Sequence, residues 1–190
     1  MAESEAIELQ QYLSFSLREA EYALPILRVK EIRQYETVTP IPSVPRAVRG
    51  VMNLRGAVVP VVDLAARLGL AETPLTRLTC ILVVEATIEG QPCVVGIMTD
   101  AVREVIELGP KDIEPVPAFG TRVRARFLTG VGKAAGRFAL LLDVDEVVTA
   151  ADRDVAEEIA GAAADAMPEA DEPPPPPPPG DAPPPPTEAA

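Results

Sequence analysis

Two stretches of this chain, 80 positions apart, carry the same punctuation. Gly50-Val51 returns as Gly130-Val131, Gly56 as Gly136, and Asp63 as Asp143. The apolar run V-V-P-V-V at 58–62 falls on F-A-L-L-L at 138–142. Each copy therefore reads as a glycine, a strand, a turn glycine, an apolar strand, and an aspartate placed to cap a short helix. A second echo has an offset of 73, where V-K-E-I at 29–32 falls on V-R-E-V at 102–105. Two echoes in the same order, with compatible turn chemistry, point to an internal duplication. The expectation is an all-β fold of two similar subdomains, approximately 11–75 and 76–150, sharing a seam.

The pattern between the echoes is mostly that of strands. Leu13, Phe15 and Leu17 alternate onto one face, residues 18–21 make a polar turn, and 22–24 return as the second hairpin arm. Pro25 suits the first turn of a helix, and Ile26, Val29 and Ile32 then share a face, which predicts a short helix over 25–34. Residues 51–64 hold two apolar runs broken by Arg55-Gly56, a hairpin signal. Residues 78–84 read as a buried strand, turned back by Glu89-Gly90 into 93–98, and 102–108 alternate again. The Ala-rich, acid-rich composition of 151–167 predicts a C-terminal helix. Residues 1–10 form an acidic lead-in. Residues 168–190 hold 12 of the 22 prolines and predict a disordered or polyproline tail.

Composition removes most catalytic chemistry. The chain has no histidine, and so lacks the commonest general base and metal ligand. Its serines stand only at 4, 14, 16 and 43, with no ordinary base to activate one. G-V-G-K-A-A-G at 130–136 has Ala134 where a phosphate loop needs Ser or Thr, and it leads into a strand, so it reads as a hairpin loop. Cys80 and Cys93 lie inside apolar runs and read as small buried hydrophobes rather than a disulfide or metal site. Asp63 and Asp143 read as caps, and no cluster has metal-ligand spacing. The residues predict no enzyme.

Charge narrows the partners. The net charge of −12 lies entirely in residues 143–190, which hold 13 acidic groups against Arg153 alone. Such a tail repels phosphates and anionic lipids, which argues against nucleic acid and against direct membrane contact. Arg122, Arg124, Arg126, Lys133 and Arg137 form one basic patch, read as a solvated strand face. The chain shows neither a signal-peptide-like start nor a run of 18 apolar residues, so the expectation is a soluble cytoplasmic protein.

The run G-V-M-N-L-R-G-A-V-V-P-V-V-D-L from Gly50 is the most specific feature of the chain. With Y-A-L-P-I-L-R-V-K-E-I-R at 22–33 and V-V-G-I-M-T-D-A-V-R-E-V at 94–105, it resembles the CheW family over roughly 11–150. Ala65 departs from the pattern, since members often carry Arg after the D-L pair. The resemblance implies a pair of packed SH3-like five-stranded β-barrels with no catalytic residue and no cofactor. It also implies a non-enzymatic adaptor that couples chemoreceptors to the histidine kinase CheA. Members bind the cytoplasmic tip of a methyl-accepting chemoreceptor near the seam, and the regulatory domain of CheA through barrel ends. Carried over, the receptor-binding positions are Val29, Glu31, Gly50, Asn53, Arg55 and Gly56, with Glu31 and Arg55 as an ion pair. The alternative is a recognition module of another chemosensory pathway, non-flagellar or developmental, with the proline-rich tail as a docking strand.

Overall fold

A computed structural model describes residues 9–88, 90–117 and 125–148. The predicted C-terminal helix, the proline-rich tail, most of the lead-in, and Arg122 and Arg124 of the basic patch lie outside the described residues. The elements run β1 (Gln10–Leu17), β2 (Ala20–Pro25), β3 (Val29–Gln34), β4 (Val48–Leu54), β5 (Ala57–Asp63) and α1 (Leu64–Arg67). Then follow β6 (Cys80–Ile88), β7 (Gln91–Thr99), β8 (Ala101–Leu108), β9 (Ile113–Glu114), β10 (Leu128–Ala134), β11 (Arg137–Leu142) and α2 (Val144–Val147). The fold is all-β, built from two curled sheets with a few short helices. One sheet has the order β8-β1-β2-β11-β10-β9 and the other β3-β6-β7-β5-β4. The sixth strand of the first sheet is the two-residue β9, whose Glu114 faces Val131. In the second sheet the single bridge from Thr39 to Val51 occupies the equivalent place.

Strand register reproduces the duplication. Leu13 pairs with Leu24 and Val105, and its counterpart Leu82 pairs with Ile97 and Ile32. The one parallel contact of each sheet also matches, Leu141 beside Ala23 and Val61 beside Gly96. Both hairpin turns place two residues at positive φ, Arg55-Gly56 at 53° and 89° and Ala135-Gly136 at 48° and 78°. That geometry matches the right-handed twist of the arms. Asp63 caps α1 and Asp143 caps α2, as their spacing predicts.

Sheet membership does not follow the sequence halves. The hairpin β1–β2 leaves the first copy and joins β8–β11, while β6–β7 leave the second copy and join β3–β5. A cut near residue 75 therefore separates the two repeats but splits both sheets. The crossings are short, the turn Ile26–Arg28 on one side and Asp100 alone on the other. The free edge of β2 is taken by β11 rather than β3, because the chain is redirected at Pro25, which has no amide to donate.

The predicted helix over 25–34 is replaced by a single 3-10 turn, Ile26–Arg28, and by β3. The helical spacing of Ile26, Val29 and Ile32 is outweighed by a backbone ladder to Val83 and Val84, which suits β-branched residues. The supposed hairpin loop at 130–136 is mostly strand. Gly132 lies within β10, where a Cβ would stand 2.5 Å from Leu108 Cδ1. Cys80 and Cys93 are both free and half-buried rather than core residues, and Leu78 is exposed ahead of β6.

Three large apolar clusters and a small one around Val48 hold the described residues together. The largest fills the seam, where Leu13, Phe15, Leu17, Tyr22 and Leu24 meet Val62, Leu82, Val84, Val95 and Ile97. Phe15 and Tyr22 stack there at 6.2 Å. A second cluster, with Tyr12, Ile106, Leu108 and Leu141, lines the first sheet. The third, with Met52, Val59, Val61, Ile81 and Met98, lines the second. Polar ties reinforce the seam. Asp145 accepts from Arg28 at 2.8 Å and from the Thr87 amide at 2.6 Å. Arg67 Nε donates to the Val147 carbonyl at 2.8 Å.

Candidate functional site

The β4–β5 turn and strand β3 converge although β3 and β4 end opposite edges of their sheet. Curling of the sheet brings Arg55 Nη2 to 3.1 Å from Glu31 Oε2. Arg55 sits in the left-handed region at the turn, with its side chain 82% exposed against 28% for Glu31. Asn53 Oδ1 accepts from the Gly56 amide at 2.8 Å, so Asn53 fixes the turn that presents Arg55. Four of the six carried-over positions, Glu31, Asn53, Arg55 and Gly56, thus form one local unit.

The other two lie elsewhere in the packing. Val29 is half-buried at the start of β3 and packs against the seam cluster. Gly50 is buried near the start of β4, away from the turn, where the Thr39 and Val51 backbones exchange hydrogen bonds at 2.9 Å. A Cβ on Gly50 would stand 2.0 Å from the Thr39 carbonyl oxygen. Its place in the motif reflects a close backbone approach rather than surface contact.

Two charged neighbours, Arg33 and Glu36, escaped the sequence reading. Arg33 Nη1 lies 3.9 Å from Glu31 Oε1, and Arg33 Nη2 lies 3.0 Å from Glu36 Oε1. Ile32 on β3 and its repeat counterpart Val105 on β8 are both about half-exposed, next to strands that line the seam. Reading 29–34 with period two, instead of as a helix, would have separated Ile32 from Val29. The other sheet carries a matching ion pair. Arg137 on β11 meets Glu104 on β8 and lies 3.6 Å from Glu21.

A second polar cluster stands at the end of the β4–β5 hairpin away from the turn. Asp63 is fully buried and accepts from the Thr73 amide at 3.0 Å, the Thr73 hydroxyl at 2.9 Å and the Ala66 amide at 3.3 Å. Arg49 Nε lies 3.7 Å from Asp63, and Arg49 and Arg46 both reach Glu72. The Arg46 hydrogen bond and charge, followed by Arg49, hold the Glu72 carboxyl below the usual range. These groups pin the chain after α1 and present no open acceptor.

Among the described residues no group of three or more His, Cys, Asp or Glu side chains could hold a metal ion. Among them, too, no helix is long and apolar enough to cross a membrane. Lys133, from the glycine-rich run, sits 6.0 Å over the Phe138 ring on a strand. What the site offers is surface recognition through an ion pair, a fixed turn and flanking apolar side chains.

The model of the CheW-like domain family matches residues 11–152. The chain belongs to the CheW family. Relatives agree over most of their length. The chain is 34% identical over 151 residues to a chemotaxis protein CheW of Klebsiella aerogenes, covering 80% of this chain and 89% of that one. It is 35% identical over 148 residues to a chemotaxis protein CheW of Rhizobium meliloti, covering 77% and 92%. Among solved structures it matches the scaffolding protein TtCheW of Thermoanaerobacter tengcongensis, with a TM-score of 0.65 and 32% identity over 73% of this chain and 91% of that chain. The shared fold is that of the CheW scaffold, with two SH3-like β subdomains. The role that goes with it is that of an adaptor in chemotaxis signalling.

Proposed function

We propose that this CheW-family adaptor couples chemoreceptors to a CheA-type histidine kinase in the cytoplasm and catalyses no step itself. The receptor face is the β3 edge with the β4–β5 turn, and its ligand is the cytoplasmic tip of a methyl-accepting chemoreceptor. Glu31 and Arg55 are the polar contacts of that face. Asn53 and Gly56 shape the turn, Val29 adds an apolar flank, and Gly50 lets the Thr39 backbone pack against β4. The regulatory domain of the kinase takes a separate surface. The Glu31–Arg55 pair carries this reading: it joins two elements far apart in sheet order and leaves one guanidinium open to a partner.

Arg55→Ala tests it. Binding to a soluble chemoreceptor signalling fragment is expected to weaken about tenfold, the scale of one lost charge-assisted interface contact. The melting temperature should hardly move, since an exposed turn substitution changes stability by about half a kcal/mol or less. Affinity for the kinase regulatory domain should be retained. Unchanged receptor affinity in a variant of wild-type stability overturns the assignment.

A further inference from the structure

The Glu31–Arg55 pair is one end of a longer chain of alternating charges. Arg55, Glu31, Arg33 and Glu36 follow one another with gaps of 3.1, 3.9 and 3.0 Å. The two oxygens of Glu31 are divided, Oε2 toward Arg55 and Oε1 toward Arg33. The guanidinium of Arg33 is divided as well, with Nη2 on Glu36 and Nη1 turned to Glu31. Its shorter contact is with Glu36. The two inner groups are half-buried, where charges are screened less than at the surface. Glu31 thus has two basic suitors, and Glu36 occupies one of them.

We propose that Glu36 is a positioning residue for the Arg55 guanidinium, acting through Arg33. With Glu36 in place, Arg33 is anchored on the far side and Glu31 is left to hold Arg55. Without it, Glu31 becomes the nearest carboxylate to Arg33, and the pull on Arg55 is shared and weakened. The first sheet provides an internal comparison. There the repeat counterpart of Glu31 is Glu104, which pairs with Arg137. At the same offset of 73, Arg33 corresponds to Ile106 and Glu36 to Gly109. Ile106 is buried in an apolar cluster, so in the first sheet nothing takes the place of Arg33 and Glu36 beside Glu104, although its Arg137 also reaches Glu21. The extension is therefore not a requirement for closing a sheet of this kind. It belongs to the face that carries Arg55.

The affinity part of the test rests on the receptor reading above, so a partner-free measurement accompanies it. In the full chain, Glu36→Gln is expected to shift the Arg55 Nε–Hε resonance and to weaken binding of the chemoreceptor signalling fragment about threefold, the scale of one exposed ion pair. Glu36→Asp should restore both. In an Arg33→Gln background, Glu36→Gln should move neither, because the intermediate is gone. An equal loss of affinity in both backgrounds overturns the proposal, as does an Arg55 resonance unmoved by Glu36→Gln. If Arg55→Ala leaves receptor binding unchanged, the receptor reading fails, while the Arg55 resonance still decides whether Glu36 acts through Arg33.

Discussion

Gly50→Ala is expected to destabilise the chain by about 3 kcal/mol or more, which combines overpacking with a strained backbone. The backbone at Gly50 has φ of 136°, and a new Cβ would lie 2.0 Å from the Thr39 oxygen and 2.9 Å from Pro40 Cα. Those atoms are backbone, so no side-chain rotation relieves the clash. The segment through Thr39 would have to move away, breaking its two hydrogen bonds to Val51. Gly56→Ala is the control, because nothing lies within 4 Å of its Cβ position. Its cost is that of a left-handed alanine alone, about 1–2 kcal/mol. Thermal melts should show the Gly50 variant down by roughly 10 °C or more and the Gly56 variant by about 3–7 °C. Similar melting temperatures for the two would mean that the approach of Thr39 is not tight. With the expected destabilisation, loss of partner binding in the Gly50 variant reports a damaged fold rather than a lost contact.

The duplicated caps are expected to differ sharply in worth. Asp143 only caps α2, accepting from the Asp145 and Glu146 amides at 3.0 and 3.1 Å. Asp143→Ala should cost about 1 kcal/mol, as for an ordinary cap. Asp63 caps α1 and also binds both polar groups of Thr73, ten residues on, with no exposure to water. Asp63→Ala should cost about 3 kcal/mol, since buried donors lose a charged acceptor. Denaturant titrations of the two variants check this. Equal midpoints would show that the Thr73 contacts contribute nothing.

Much of the hairpin logic of both sheets was open in the sequence, and the reason is chemical. Turn glycines, capping aspartates and alternating apolar residues are local signals, so the hairpins at Arg55-Gly56 and Ala135-Gly136 could be read directly. Which strand lies beside which is a different matter. The pattern of β2 says which side chains are buried but not that β11, rather than β3, takes its edge. The segment 26–34 misleads because Ile26, Val29 and Ile32 stand at helical spacing, whereas β3 puts Val29 and Ile32 on opposite faces, and only the ladder to β6 decides. Glu31 and Arg55 are 24 residues apart with no local signal joining them; family resemblance supplied the pair. Arg33 and Glu36 are neighbours at i,i+3, but their link to Glu31 required β3 to be a strand.

The exchange of hairpins between the two repeats bears on what an adaptor can transmit. Each sheet contains strands from both halves of the chain, and the second sheet is one run, β3 to β7, inserted between β2 and β8 of the first. The two are also joined covalently by the turn Ile26–Arg28 and by Asp100, connectors too short to act as hinges of any reach. A load applied at the β3 edge passes through backbone into β2, and from there through paired strands to the far side of the molecule. Two partners held on opposite ends would therefore feel each other through a stiff strut rather than a flexible tether.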